Sequence, residues 1–151
     1  MQVREGQLGR IFVLRLEDGD RIPEIIEQFA LDRNIDNAML IFLGGVADGS
    51  RVVVGPEAGH GERIVPQLFT LRGHQEIAGV GTLFRNHEGR PVLHMHAAAG
   101  RDGNATVGCT RAGVKVWLVG EAVLLEIQGD IGRRLQAPKT DLELLELSQP
   151  S

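Results

Sequence analysis

The sequence predicts an α+β domain, a mostly antiparallel β-sheet with one main helix packed on it. Three observations predict it. Short apolar runs rich in β-branched residues recur along the chain, each bounded by Gly, Asp or Asn turn signals. Only one stretch carries apolar residues at helical spacing. The 151 residues, with 20 Gly and aromatics at 4 %, suit one core built of many short strands and tight turns. A single domain over residues 1–151, with its core at about 7–147, is the expected organisation.

The elements follow in order. Gly9 to Leu16 reads as a strand, closed by the turn Glu17-Asp18-Gly19-Asp20. Ile22, Ile25, Ile26, Phe29 and Ala30 then predict an amphipathic helix at about 21–33, with Asp20 as its cap, Pro23 in its first turn and its end near Asn34. Ala38 to Val46 is a strand that Gly44-Gly45 can bend, and Asp48-Gly49 turns the chain into a strand from Ser50 to Val54. The breaker-rich stretch 55–62 is an exposed loop. Ile64 to Leu71 and Gln75 to Phe84 are further strands, the second holding Gly79-Val80-Gly81, where a backbone or a ligand can approach.

His87-Glu88-Gly89 turns the chain into Val92 to Ala98, a strand that places His94 and His96 on one face and Leu93, Met95 and Ala97 on the other. Asp102-Gly103 is the tip of a two-residue hairpin, and that turn pairs Arg101 with Asn104. Counting back, His96 falls opposite Cys109, the only cysteine. Facing residues have Cβ atoms about 4.5–5.5 Å apart, so His94, His96 and Cys109 form one patch of potential metal ligands. Val114 to Ile127 is a long buried strand with a bend at Gly120, a polar stretch runs from Gln128 to Thr140, and Leu142 to Leu147 is a last short strand. One helix among eight or nine strands covers little of a sheet that is apolar on both faces, which points to self-association.

Composition narrows the function classes. The formal net charge of −4 opposes a phosphate backbone, and the few aromatics supply little base stacking. One cysteine excludes an intrachain disulfide framework and indicates a reducing cytoplasm. No basic-then-apolar leader and no run of membrane-spanning length stands out, so the expectation is a soluble cytoplasmic chain with no membrane partner. There is no solenoid repeat, nucleophile elbow or Ser-His-Asp order, and the glycines at 79, 81 and 103 make no nucleotide fingerprint.

The run Gly89-Arg90-Pro91-Val92-Leu93-His94-Met95-His96, then Gly100-Arg101-Asp102-Gly103, Val107-Gly108-Cys109 and Glu121-Ala122-Val123-Leu124-Leu125-Glu126, resembles the plants-and-prokaryotes-conserved (PPC) domain family. Gln75 to Leu83 is similar to the family segment that precedes its His-x-His strand, and the resemblance covers about residues 7–147. It implies a single α+β domain assembling as a homotrimer, and DNA as a partner. In land plants the domain follows an AT-hook, whereas prokaryotic members stand alone. This chain has no Arg-Gly-Arg-Pro hook, and Glu88-Gly89-Arg90-Pro91 lies inside the domain. Many prokaryotic members carry a third histidine where Cys109 stands. Thiolate and neutral imidazole both ligate zinc, so the replacement preserves the ligand set.

A His pair on the wetter face of a strand is ordinary, and a lone Cys109 is most often a small buried hydrophobe; only the set of three raises a zinc site. Glu121, inside an apolar strand, is expected to find an Arg, a backbone donor or a metal-bound water. His60, His74 and His87 are read as solvated. Arg85, Arg90, Arg101, Arg111, Arg133 and Arg134 could receive phosphate at an oligomer edge, but a solvated face is the commoner arrangement. The leading expectation is therefore a non-enzymatic, cytoplasmic assembly or regulatory module, a homotrimer with DNA association and no catalytic residues. The alternative is a metal- or small-ligand-binding protein using His94, His96 and Cys109 around zinc, with hydrolase chemistry as its furthest extension.

Overall fold

The computed structural model describes residues 1–57, 64–137 and 142–149. In chain order the elements are β1 (Gln7–Glu17), β2 (Arg21–Ile22), α1 (Glu24–Asp32), β3 (Asn37–Val46), β4 (Arg51–Pro56), β5 (Pro66–Thr70), β6 (Gln75–Arg85), β7 (Pro91–Arg101), β8 (Asn104–Cys109), a 3-10 turn (Thr110–Ala112), β9 (Val114–Gln128), β10 (Gly132–Gln136) and β11 (Glu143–Leu147). The main sheet has the order β1-β9-β3-β6-β7-β8-β4-β5, with β2 added on β9, and β10 and β11 form a separate hairpin. Every strand pair is antiparallel among the described residues. The fold is thus the predicted single α+β domain, with one α-helix among the described residues.

Alternation along the strands gives the sheet two unlike faces. Leu40, Phe42, Leu83, Leu93, Met95, Ala97, Ala122 and Leu124 are buried on the inner face, where Ile26 and Ala30 of α1 join the same core. The helix is tied to the sheet by a hydrogen bond from Leu93 N–H to Glu27 Oε1 at 2.8 Å. The other face carries lateral rows that cross the sheet. One row runs Val13, Val123, Ile41, Val80, His96 and Cys109 through successive strand pairs, and of these Val13 is 79 % and Val80 52 % exposed.

Several boundaries differ from the sequence reading, for local reasons. α1 begins at Glu24 because Arg21 and Ile22 pair with Lys115 and Val114 of β9 before the chain turns. Asp20 does not cap it: its carboxylate accepts the Glu17 N–H at 2.8 Å, and the helix has no side-chain cap. The end near Asn34 is as expected, with Asn34 at φ 52° and Ile35 N–H bonded to Ala30 O at 2.9 Å. β5 starts at Pro66 rather than Ile64. The polar stretch after Gln128 contains β10, and with β2 also added the described residues hold eleven strands rather than eight or nine. Of the loop expected at 55–62, Gly55 and Pro56 end β4, Glu57 N–H bonds Val65 O, and the rest, His60 included, lies outside the described residues.

Glu121 differs from the expectation of a carboxylate held inside an apolar strand. It is exposed, opposite Arg15, because β9 buries residues of even number from Gly120 to Glu126. The buried carboxylate of the strand is Glu126, which receives Arg10 N–H at 2.9 Å, Arg10 Nε at 2.8 Å and Arg10 Nη2 at 2.6 Å. The same parity was available from Ala122 and Leu124, whose place in the core puts position 126 inward.

Candidate metal centre and adjoining cavity

β7 buries alternate residues from Pro91 to Ala99, so Leu93, Met95 and Ala97 enter the core and His94 and His96 face outward. β6 lies close against β7. A Cβ at Gly81 would stand 2.8 Å from Met95 Cβ, and one at Gly79 would stand 2.9 Å from Ala97 Cβ. The approach read into Gly79-Val80-Gly81 is therefore that of the neighbouring strand on the core side.

The β7–β8 hairpin closes as the turn count requires. Asp102 and Gly103 both take positive φ, 52° and 78°, the conformation that a type I′ turn demands and that Asp-Gly supplies. Arg101 pairs with Asn104 and His96 with Cys109. Cys109 also pairs with Val53 of β4 and is 3 % exposed. The 3-10 turn that follows it is pinned by Thr110 Oγ1 donating to Met95 O at 3.3 Å.

These constraints bring one nitrogen each of His94 and His96 and the Cys109 sulfur within 4.8 Å of one another. The two Nε2 atoms are 3.1 Å apart and the rings meet edge to face at 4.9 Å between centroids. Two neutral imidazoles can share a hydrogen bond at that distance, one as donor and one as acceptor. Donors on one tetrahedral zinc ion at 2.0–2.3 Å stand about 3.3–3.6 Å from each other; the two Nε2 atoms are close to that spacing at 3.1 Å, and the set of three, within 4.8 Å, would draw in by about 1 Å to share an ion. His94 favours the neutral, ligating form: burial first, then the charges of Arg134, His96 and Arg111, lower its pKa from the ordinary histidine value.

Arg134, expected on a solvated face, is buried and reaches the site. Arg134 of β10 is 3 % exposed, and it donates from Nε to Val92 O at 3.2 Å and from Nη2 to Thr82 O and Oγ1 at 3.0 and 3.1 Å. Thr82 pairs with His94, so the guanidinium sits beside the histidine row. Neighbours in a strand point to opposite faces, and in β10 Arg133 is exposed while Arg134 turns inward. The other arginines are at the surface or paired there: Arg85 with Asp36, Arg90 with Glu88 at 3.4 Å and Arg101 with Asp102 at 3.3 Å. His74 is exposed and stacks on Trp117 at 4.4 Å, and His87 is exposed. A cavity of about 620 Å³ opens beside His94 between the main sheet, the 3-10 turn and β11, with Arg111 and Arg134 in its lining.

The comparisons with known proteins agree with this architecture. The chain superposes on a plant- and prokaryote-conserved (PPC) protein of Pyrococcus horikoshii with a TM-score of 0.84 at 22 % identity, covering 99 % of this chain and 100 % of that one. A metal-containing protein of Archaeoglobus fulgidus follows at 0.80 and 24 %, covering 97 % and 99 %. A protein of Ralstonia eutropha JMP134, named as a "putative DNA-binding protein", matches at 0.72 and 20 %, covering 90 % of each chain. At these identities the likeness shows the fold. A comparison with curated proteins finds no match. Residues 3–128 match the model of the Plants and Prokaryotes Conserved (PCC) domain, and with that match over most of its length the chain belongs to the PCC, or PPC, domain family.

Proposed function

We propose that this protein is a non-enzymatic assembly module of the cytoplasm that binds one zinc ion per chain through His94, His96 and Cys109 and works as a homotrimer. The observation that carries the metal reading is the convergence of three donor atoms within 4.8 Å on adjacent strands. Two neutral imidazoles and a thiolate suit zinc better than a hard cation such as Mg²⁺ or Ca²⁺. The single cysteine supports a reducing compartment, and no helix among the described residues is long and apolar enough to cross a membrane. The metal-containing relative from Archaeoglobus fulgidus adds support at the level of its name.

The test is metal content. Untagged protein, loaded with zinc and washed with a weak chelator, is expected to retain about one ion per chain, because a folded site of this ligand set holds its metal. His94→Ala and Cys109→Ala should each lose it. Retention below about one zinc per three chains, unchanged in both variants, overturns the metal reading.

DNA association is the second reading, supported by the name of the Ralstonia eutropha relative. It requires the arginines of three chains to gather at one edge, against a formal charge of −4 per chain. The expected result is a mobility shift at low salt that fades steeply as salt is added, through counterion release. No shift at low salt, with the trimer intact, removes direct binding.

A further inference from the structure

The cavity beside His94 is built unlike the rest of the outer face. Its floor is Thr82, Val92, Leu93 and His94, and its wall is Leu142, Glu143, Leu144 and Leu145 of the last hairpin. At about 620 Å³ it lies inside the range of roughly 300–1,000 Å³ typical of small-molecule sites. Half of the lining residues are aliphatic, and the charged groups are two arginines and one carboxylate.

That balance defines an occupant. Arg111 and Arg134 against Glu143 leave an excess of one positive charge in the lining. Arg134 is fixed by its bonds to Val92 and Thr82 and is buried, so its charge is poorly solvated. Burial pulls its guanidinium below the ordinary arginine range, and Glu143, Cys109 and Glu27 oppose that pull. Arg111 is exposed on the 3-10 turn and makes no ion pair with a described residue. Its planar fork matches a carboxylate, and one carboxylate cancels the excess. A phosphate monoester carries about −1.5 to −2 at neutral pH, more than this lining balances.

We propose that this cavity binds a small carboxylate with a short apolar chain, its headgroup at Arg111 and Arg134 and its chain against Val92, Leu93, Leu144 and Leu145. The site goes beyond the proposed function, which assigns this cavity nothing. It rests on the metal reading only for what lies at its His94 end.

Calorimetric titration with hexanoate tests it, on zinc-loaded protein and on protein stripped with chelator, with zinc measured in both samples. Saturable binding of hexanoate is expected. Acetate should bind more weakly by roughly fourfold per buried methylene lost, and hexanol should fail to bind at the same concentrations. Arg111→Met should weaken hexanoate at least tenfold without lowering the melting temperature, with Arg111→Lys in between because it keeps the charge and loses the fork.

Absence of hexanoate binding in both preparations overturns the proposal, whatever the zinc content. Hexanol binding as well as hexanoate, or inorganic phosphate binding more tightly, overturns the carboxylate assignment. Hexanoate binding that Arg111→Met leaves unchanged overturns the placement. Hexanoate binding in a chain that retains no zinc upholds the cavity while the metal reading falls.

Discussion

Two carboxylates, Glu126 and Glu27, pull the stability of this fold in opposite directions with pH. Arg10 donates three hydrogen bonds to Glu126, and these hold its carboxyl below the ordinary value of 4.5 against the opposing effect of burial. A depressed folded value means stability that is fully present above about 4.5 and is lost as pH falls through the folded value. Glu27 has the reverse shift: burial raises its carboxyl above 4.5, the Leu93 N–H lowers it in part, and the charges of Glu24 and Glu143 add to the rise. Its contribution is therefore greatest below 4.5 and is lost as pH rises through the folded value. Glu126→Gln is expected to destabilise the protein at pH 7 and to flatten its acid limb below 4.5. Glu27→Gln keeps the acceptor for Leu93 N–H, removes the buried charge, and is expected to leave stability at pH 7 unchanged or raised. Urea denaturation of the wild type and both variants at pH 7, 4.5 and 3 checks both signs. A loss of stability at pH 7 in Glu27→Gln would contradict the assignment.

At the scale of elements, the site depends on how β6 holds β7. Because Gly81 lets the strands meet, a methyl added there would press on Met95 Cβ at 2.8 Å and Leu93 Cδ1 at 3.0 Å, both on the strand that carries the histidines. Gly81→Ala is expected to cost about 1–3 kcal/mol, the usual penalty for overpacking a filled core, and to weaken zinc binding by displacing His94 and His96. Denaturation and a chelator-competition titration on the same sample measure both effects. Unchanged zinc affinity in the destabilised variant would uncouple the site from this contact. The β7–β8 hairpin was legible in the sequence because Asp102-Gly103 fixes a turn type, and the turn fixes every pair down to His96 and Cys109. The start of α1 was less so, since the pairing of Arg21 and Ile22 with β9 overrides a helical pattern that begins at Ile22. The β10–β11 hairpin was illegible in its role. Its pairing runs Gly132–Leu147 to Gln136–Glu143, but nothing in a polar run tells that Arg134 folds back onto Thr82 and Val92, more than forty positions earlier.

For the whole molecule, the unexplained surface is the outer face of the sheet. Ile41, Leu43, Val80 and Val107 are exposed side by side on β3, β6 and β8, with Ala78 and Ala98 between them in the register. A shallow apolar depression lies among these residues, and it reaches His96. Contiguous apolar surface of this kind costs solubility unless another surface covers it. The only α-helix among the described residues is already packed on the inner face. A second and third copy of the chain would cover it, in line with the self-association expected from the two-sided pattern of the strands. Light scattering across a range of concentrations is expected to give a mass near 49 kDa, three times the 16.4 kDa of one chain. The double variant Leu43→Glu, Val80→Glu places like charges in the middle of the face and should shift the mass toward 16.4 kDa while circular dichroism stays that of a folded sheet. A wild-type mass that stays monomeric at every concentration refutes the trimer. A trimeric mass unchanged in the double variant moves the interface to another surface.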